Sequence, residues 1–446
     1  MTGPETTLPR ADRPRETSGF FSHASTRLTG LSPAFWILLL YLFLTTTAAD
    51  EEWAQVGRFH PRLVLGLLAL LVAGIRIVQG ALASRRGPTP PGAVATWWSV
   101  YAGVTLLASI WAFDFGLAKD VLLHERMNAL LIFPLLLALV RNRREFLLVV
   151  LVLCLGFGLY LLRSFQEYFA GRCVVTMGVK RMVGAGTSAA DPNSFGATIA
   201  FSLPIVLWAG IHTRNGLLRL CVATYGVLAF VAVVLTRSRA GLILGVLTAI
   251  WLLVALPTRR ARLLGLVLLV LAGALATTRL SENAIHRYVG LVTGKQTQSE
   301  RESTQGRIRG YVVAARMLAD RPLLGVGPGN WSNYRVKKID GDPLMPHSLG
   351  GQVLATTGLL GTASFLAFLL SSLLFAHRER RQRRAGTPWD AAVRSFVGAM
   401  VFLLVLLLVS GLAAHNLGRV WWCAAPALML VAARARAEAT PTPEAT

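Results

Sequence analysis

The sequence predicts an all-α polytopic membrane protein, with about twelve transmembrane helices and one large helical loop on the outer face. Three observations predict it. Hydrophobic residues fill 54% of the 446 positions and the mean hydropathy is +0.54, which excludes an ordinary soluble domain. Apolar runs of about 17 residues or more recur, each long enough to cross a bilayer as a helix. One long polar stretch, Arg279 to Pro346, interrupts them.

The first 30 residues are polar, carry four arginines and lack the pattern of a cleavable signal peptide. Nine spans come next: Pro33–Ala49, Leu63–Ala83, Ala93–Phe113, Met127–Val140, Phe146–Phe169, Ser194–Ile211, Leu217–Thr236, Ala240–Leu256 and Leu263–Thr278. After the polar loop come Ser348–Ala376, Ala391–Ala414 and Val420–Ala433. Met127–Val140 and Val420–Ala433 are short for a crossing and need tilt or flanking residues that join the helix. No internal repeat is evident, which disfavours an inverted-repeat transporter. The expected division is a cytoplasmic segment 1–30, a nine-helix region 31–278, a loop domain 279–346, a three-helix region 347–433 and a cytoplasmic tail 434–446.

Orientation follows from arginine in alternate connections. Arg85-Arg86, Arg141 through Arg144, Arg214 with Arg219, Arg259 through Arg262, and Arg378 through Arg384 fall on the side of the N-terminus, the cytoplasm. The long loop then faces outward. It holds eleven Lys/Arg against six Asp/Glu. Long loops translocate whatever their charge, but that does not account for Arg237 and Arg239 in a very short outer turn. An anionic substrate accounts for both.

Several constellations can carry chemistry. Arg237-Ser238-Arg239-Ala240-Gly241 joins two spans with almost no loop, which sets two guanidiniums at the outer boundary. A guanidinium pairs bidentately with phosphate oxygens, and that reading is favoured over snorkelling to headgroups because two arginines stand in a turn too tight to need them. Ser303 or Thr304 is expected to cap an amphipathic loop helix in which Ile308, Val312, Ala315 and Ala319 share an apolar face. Arg307 and Arg309 would flank its N-terminus as an anion site, with Tyr311 and Arg316 as further substrate contacts. Asp191 and Asn193 open a span from outside, as caps or as partners of sugar hydroxyls. Arg163, in the outer half of its span, is a functional candidate by its depth. Arg76 lies near a cytoplasmic end and reads as snorkelling. Asp340-Gly341-Asp342 has the form of a metal-binding DxD, but these are ordinary turn residues, and no metal or cofactor is expected.

His347, between Pro346 and Ser348, sits where the polar loop re-enters a helix. An imidazole titrates near pH 6.5 and so can take a proton from a hydroxyl near neutrality. Taken alone, a histidine capping a helix start or facing headgroups is the plainer reading. His60, His124 and His286 have no comparable context, and His415 beside Asn416 is the one serious rival.

His347-Ser348, nine residues, then Gly358-Leu359-Leu360-Gly361 resembles the motif of the bacterial O-antigen ligase superfamily, which also includes O-antigen polymerases and protein O-oligosaccharyltransferases. An Arg-Ala-Gly turn, an Asp-Pro-Asn segment and a Gly-Arg loop helix occur in the matching order. The resemblance implies a metal-independent, inverting glycosyltransferase of the membrane-embedded (GT-C) class in the bacterial inner membrane, with its active site on the periplasmic face. Its partners would be undecaprenyl-pyrophosphate-linked O-antigen and lipid A–core. The catalytic roles would fall on His347, Arg239 and Arg307, with Arg309 as a substitute for Arg307. A polymerase, a protein glycosyltransferase with the same donor, and an anionic-lipid transporter are the alternatives.

Overall fold

The computed structural model describes residues 30–49, 60–83, 92–176, 179–186, 191–256, 258–277, 298–382 and 386–437. Arg85-Arg86, His286, residues 1–29 and 438–446, and the side chains of Arg76, Ser303, Thr304 and Arg307 lie outside the described residues. The helices are α1 (Pro33–Thr47), α2 (Pro61–Ala83), α3 (Ala93–Ile110), α4 (Phe115–Val121), α5 (Met127–Leu139), α6 (Arg143–Phe169), α7 (Pro192–His212), α8 (Gly216–Leu235), α9 (Arg239–Ala255), α10 (Arg259–Thr277), α11 (Gln298–Asp320), α12 (Trp331–Tyr334), α13 (Leu349–Arg381), α14 (Pro388–Gly411) and α15 (Trp421–Ala437). A two-stranded hairpin, β1 (Val174–Thr176) and β2 (Val179–Arg181), follows α6.

In a bilayer every backbone polar group needs a partner within the protein, so apolar segments fold as helices. Their starts are set locally. Ser32, Asp114, Asn142, Asp191, Asn215, Ser238, Ser348 and Thr387 each accept a hydrogen bond from the amide three residues on, which satisfies a donor the helix leaves open. All twelve expected spans are helical. By length and composition, seven helices among the described residues can cross a membrane, and Pro33–Thr47, Pro61–Ile75 and Arg239–Ala255 are shorter apolar helices.

The short span at Met127 is lengthened from its N-terminal side. α4, a π-helical turn over Leu122–Arg126, and α5 run on as a 25-residue helix, Phe115–Leu139. The last helix lies at the centre of the bundle, where Ala424, Ala425, Ala427 and Met429 are fully buried. It is apolar all round because protein covers it all round. It also runs past the expected boundary, to Ala437. Arg436 pairs with Glu379 and lies 3.8 Å from Asp390, joining the ends of α13, α14 and α15. Replacing one partner of such a buried cluster strands a charge.

The polar segment from α11 onward packs with α13 in a small core of Val313, Ala314, Met317, Val326, Trp331, Tyr334 and Ala355. Two expectations fail here. The loop helix begins at Gln298, so Ser303 and Thr304 lie inside it and Arg307 and Arg309 do not flank its N-terminus. Its early residues are good helix formers, with Glu300 and Glu302 suited to the positive end of the helix dipole. The buried face is Val313, Ala314 and Met317, whereas Ile308 is 63% and Val312 50% exposed. The sequence has two apolar stripes here, and the one facing α13 was not the one periodicity selected.

α13 is broken. At Gly358 the backbone takes φ 63°, ψ −163°, a conformation essentially restricted to glycine. The segment after α11 fills the break. Leu359 N donates to Pro322 O at 2.8 Å, Leu360 N to Leu323 O at 3.2 Å, and Val326 N to Ala355 O at 2.8 Å. A Cβ on Gly358 would overlap the Leu323 carbonyl, and one on Gly325 would sit 2.7 Å from Gly358 N. The glycine pair of the sequence motif is thus partly a socket for the loop, with no Cβ to block its first position.

Candidate functional site

Ser348 caps α13, its Oγ accepting from Gly351 N at 3.2 Å. His347 is the residue before, in the left-handed region at φ 46°. Only four non-glycine residues among those described take positive φ: Ala48, His60, Arg237 and His347. Such a conformation costs on the order of 1–3 kcal/mol and persists where the surroundings enforce it, commonly at functional sites. The loop helix supplies the enforcement. A Cβ on Gly310 would lie 2.8 Å from Pro346 O, and one on Gly350 would lie 3.4 Å from the Tyr311 ring. α11 therefore presses directly on the segment that carries His347.

The exposed His347 ring faces His415, with centroids 5.9 Å apart. His415 lies in the connection between α14 and α15, which is tied down at several points. Asn416 Nδ2 donates to Leu407 O at 2.8 Å, and Leu417 N to Gln352 Oε1 at 3.0 Å. Arg419 Nη1 donates to Thr198 Oγ1 at 3.0 Å, and a weaker 3.4 Å contact joins Nη2 to Ser194 O. Partial desolvation, then the charge of His347, holds the His415 imidazole below its ordinary pKa, against the opposing pull of Glu125 and Asp191. Two imidazoles this close disfavour double protonation.

The other side of the site is built on the start of α7. Asp191 caps the helix through Ser194 N at 2.8 Å. Asn193 takes a hydrogen bond from Arg181 Nη2 at 3.1 Å and donates to Asp191 Oδ1 at 3.3 Å. Arg181 Nε donates to Thr236 O at 2.9 Å, which fixes the hairpin against the turn between α8 and α9. In that turn Arg237 takes φ 52° and is 6% exposed, and half-buried Arg239 opens α9. Arg237 is thus buried, not spread at the membrane boundary. The turn that carries Arg237 and Arg239 packs against the first turns of α7, which Asp191 and Asn193 open, and Arg419 reaches the same helix from the connection before α15.

A cleft of about 680 Å³ adjoins His415, lined among others by His60, Arg62, His124, Glu125 and Arg419. His60 and His124 stand ring to ring, 4.2 Å between centroids, so both have a context that their neighbours in sequence do not reveal. Glu125 lies against Gly418, where a Cβ would overlap its carboxylate. Next to it Arg126 is 4% exposed, and its Nε and Nη1 have no partner among the described residues. All three of His124, Glu125 and Arg126 sit on the π-helical turn, a feature that often marks function. Sequence reading missed Arg419, Glu125 and Arg126, because single charges in a short loop or an apolar run make no pattern.

The remaining candidates lie elsewhere. Arg163 Nη1 makes a long contact, 3.4 Å, to Thr47 O at the end of α1. Arg316 and Tyr311 are exposed on α11. Arg307 lies on α11, its side chain outside the described residues. Arg309 pairs with Asp340 at 3.0 Å and approaches Asp342 at 4.0 Å. Arg335, 3% exposed, bonds both aspartates at 2.8–3.0 Å. The Asp-Gly-Asp turn is therefore an arginine clamp. No group of three His, Cys, Asp or Glu suited to a metal occurs among the described residues.

The hydrogen bond from Arg335, with smaller help from the Asp342 amide and the charges of Arg335 and Arg309, holds the Asp340 carboxyl below its ordinary pKa. Such a group stabilises the fold above its unfolded pKa, and that contribution is lost as pH falls through the lower folded value. Segment 335–345 is therefore expected to stay protected from proteolysis at pH 4 and to open only in stronger acid. Arg335→Gln should weaken it by roughly 2 kcal/mol at pH 7, read by hydrogen exchange.

The family described as O-antigen ligase matches residues 224–366, a span that holds the Arg239 turn, the loop core, His347 and Gly358. The match covers about a third of the 446-residue chain. No curated protein matches the chain.

Proposed function

We propose that this chain is a member of the O-antigen ligase family and transfers a polysaccharide from undecaprenyl pyrophosphate to a sugar hydroxyl of lipid A–core, at the periplasmic face of the bacterial inner membrane. The observation that carries the reading is His347, held in a strained conformation where loop and helix meet, its ring facing His415, which lines a cleft with Arg62 and Arg419. In the proposed reaction His347 takes the proton of the acceptor hydroxyl. The oxygen attacks the anomeric carbon from the face opposite the pyrophosphate. The carbon–oxygen bond to the leaving group breaks, its electron pair stays on the pyrophosphate, and the configuration inverts.

Arg237 and Arg239, with Arg307 on the loop helix, are assigned to the developing pyrophosphate charge. Fixed donors aimed at such charge are commonly the largest single contribution to catalysis. Arg309, engaged with Asp340 and Asp342, is better read as a loop clamp. The same clamp makes a metal at that turn unnecessary to the proposal, and transfer is expected to survive a chelator. Arg239→Ala should lower kcat/KM by about 10²-fold or more. Arg239→Lys should recover little, because an ammonium cannot offer two parallel donors to phosphate.

The deciding experiment offers purified protein a labelled lipid-pyrophosphate glycan with lipid A–core, with a growing glycan, or with a protein acceptor. Label on lipid A–core supports a ligase. Label on either other acceptor moves the chain to the polymerase or protein-glycosylating branch. Binding without turnover would favour a lipid transporter.

A further inference from the structure

We infer that the bundle holds one anionic phospholipid at the end away from His347. The site is a half-open groove of about 520 Å³ lined by α7, α8, α9 and α10. Its walls are apolar: Leu207, Val222, Phe230, Leu252 and Leu268 are typical. Gly226 keeps it open, since the nearest atom to a Cβ there is Leu207 Cδ2 at 3.7 Å. The volume lies within the usual range for a small-molecule site.

An apolar groove in a bilayer takes a hydrocarbon chain without further argument. What selects the lipid here is charge at one end. Arg219 and Thr258 line that end. Arg219 Nε donates to Thr213 O at 2.8 Å, and Arg262 Nε to Leu256 O at 3.0 Å. Each guanidinium is thus anchored at a helix end, and neither meets a carboxylate among the described residues. The connections 213–219 and 256–262 contain five arginines and no Asp or Glu. An anchored guanidinium fork suits a phosphate ester, and basic pockets between helices of this kind bind anionic headgroups.

The geometry separates this lipid from the proposed substrates. α7 runs 21 residues from Pro192, at the His347 end, to His212 beside Arg219. That is roughly 30 Å, the thickness of the hydrocarbon core. A phosphate at Arg219 and Arg262 therefore belongs to the opposite leaflet. The inference does not rest on the transfer reaction.

The test equilibrates the purified full chain with phosphatidylglycerol or phosphatidylcholine and counts retained lipid by native mass spectrometry, with the rise in Tm as a second readout. Wild type should prefer phosphatidylglycerol at least tenfold. Each arginine near a surface contributes roughly a fivefold preference, so Arg219→Gln with Arg262→Gln should lower the preference several-fold. Gly226→Leu, which fills the groove, should reduce retention of both. Equal retention of the two lipids by wild type overturns the inference, as does an undiminished preference in the double arginine variant. Displacement of phosphatidylglycerol by equimolar undecaprenyl phosphate also overturns it, by making the groove a seat for the donor tail. If Gly226→Leu fails to fold, wild type and the arginine variant still decide.

Discussion

Transfer by His347→Ala should fall by about 10² to 10⁴-fold, the usual worth of a general base, in protein that still inserts and melts as wild type does. His347→Gly makes the sharper test. At φ 46° the histidine pays for a conformation that glycine adopts freely. The glycine variant should therefore be equally stable or more so, and equally inactive. A purely structural role predicts activity that follows stability. Full transfer by either variant would remove His347 from the reaction. His415→Ala should cost less than His347→Ala; the reverse order would exchange the roles of the two imidazoles that face each other at 5.9 Å.

Gly358→Ala is expected to be among the most damaging single-methyl substitutions at the described residues. The added Cβ must enter a glycine-only conformation and overlap the Leu323 carbonyl. Backbone strain alone is worth on the order of 1–3 kcal/mol. The clash either adds to it or expels residues 322–326 from the break in α13. Loss of about 3 kcal/mol or more should appear as a lower Tm and as proteolysis between α11 and α12. Gly350→Ala is the matched control, because its Cβ would meet only the Tyr311 ring at 3.4 Å. If both variants melt as wild type does, the loop does not depend on the break.

Helix positions were legible in the sequence because hydrophobic length and short polar caps are local signals. Asp191 and Ser238 were read within the segments that begin α7 and α9, and they cap those helices in the structure. The start of α4 was not legible, since Phe115–Arg126 mixes charge with apolar residues and joins α5 only through a π-helical turn. His347 was legible through its motif. His60, His124 and Arg419 were not, because what makes them neighbours is the packing of α2, the π-helical turn and the connection before α15. The face of α11 was misread for a related reason. Periodicity identifies an apolar stripe, but only the partner helix decides which of two stripes is covered.

The broken α13 has a consequence for exchanging parts between relatives. A chimaera cut at Pro346, where polar loop meets apolar helix, would take the plug at 322–326 from one parent and its glycine socket from the other. The unit that travels intact begins with α11 and ends beyond Gly361. A chimaera should keep the fold of this region only when the whole block moves.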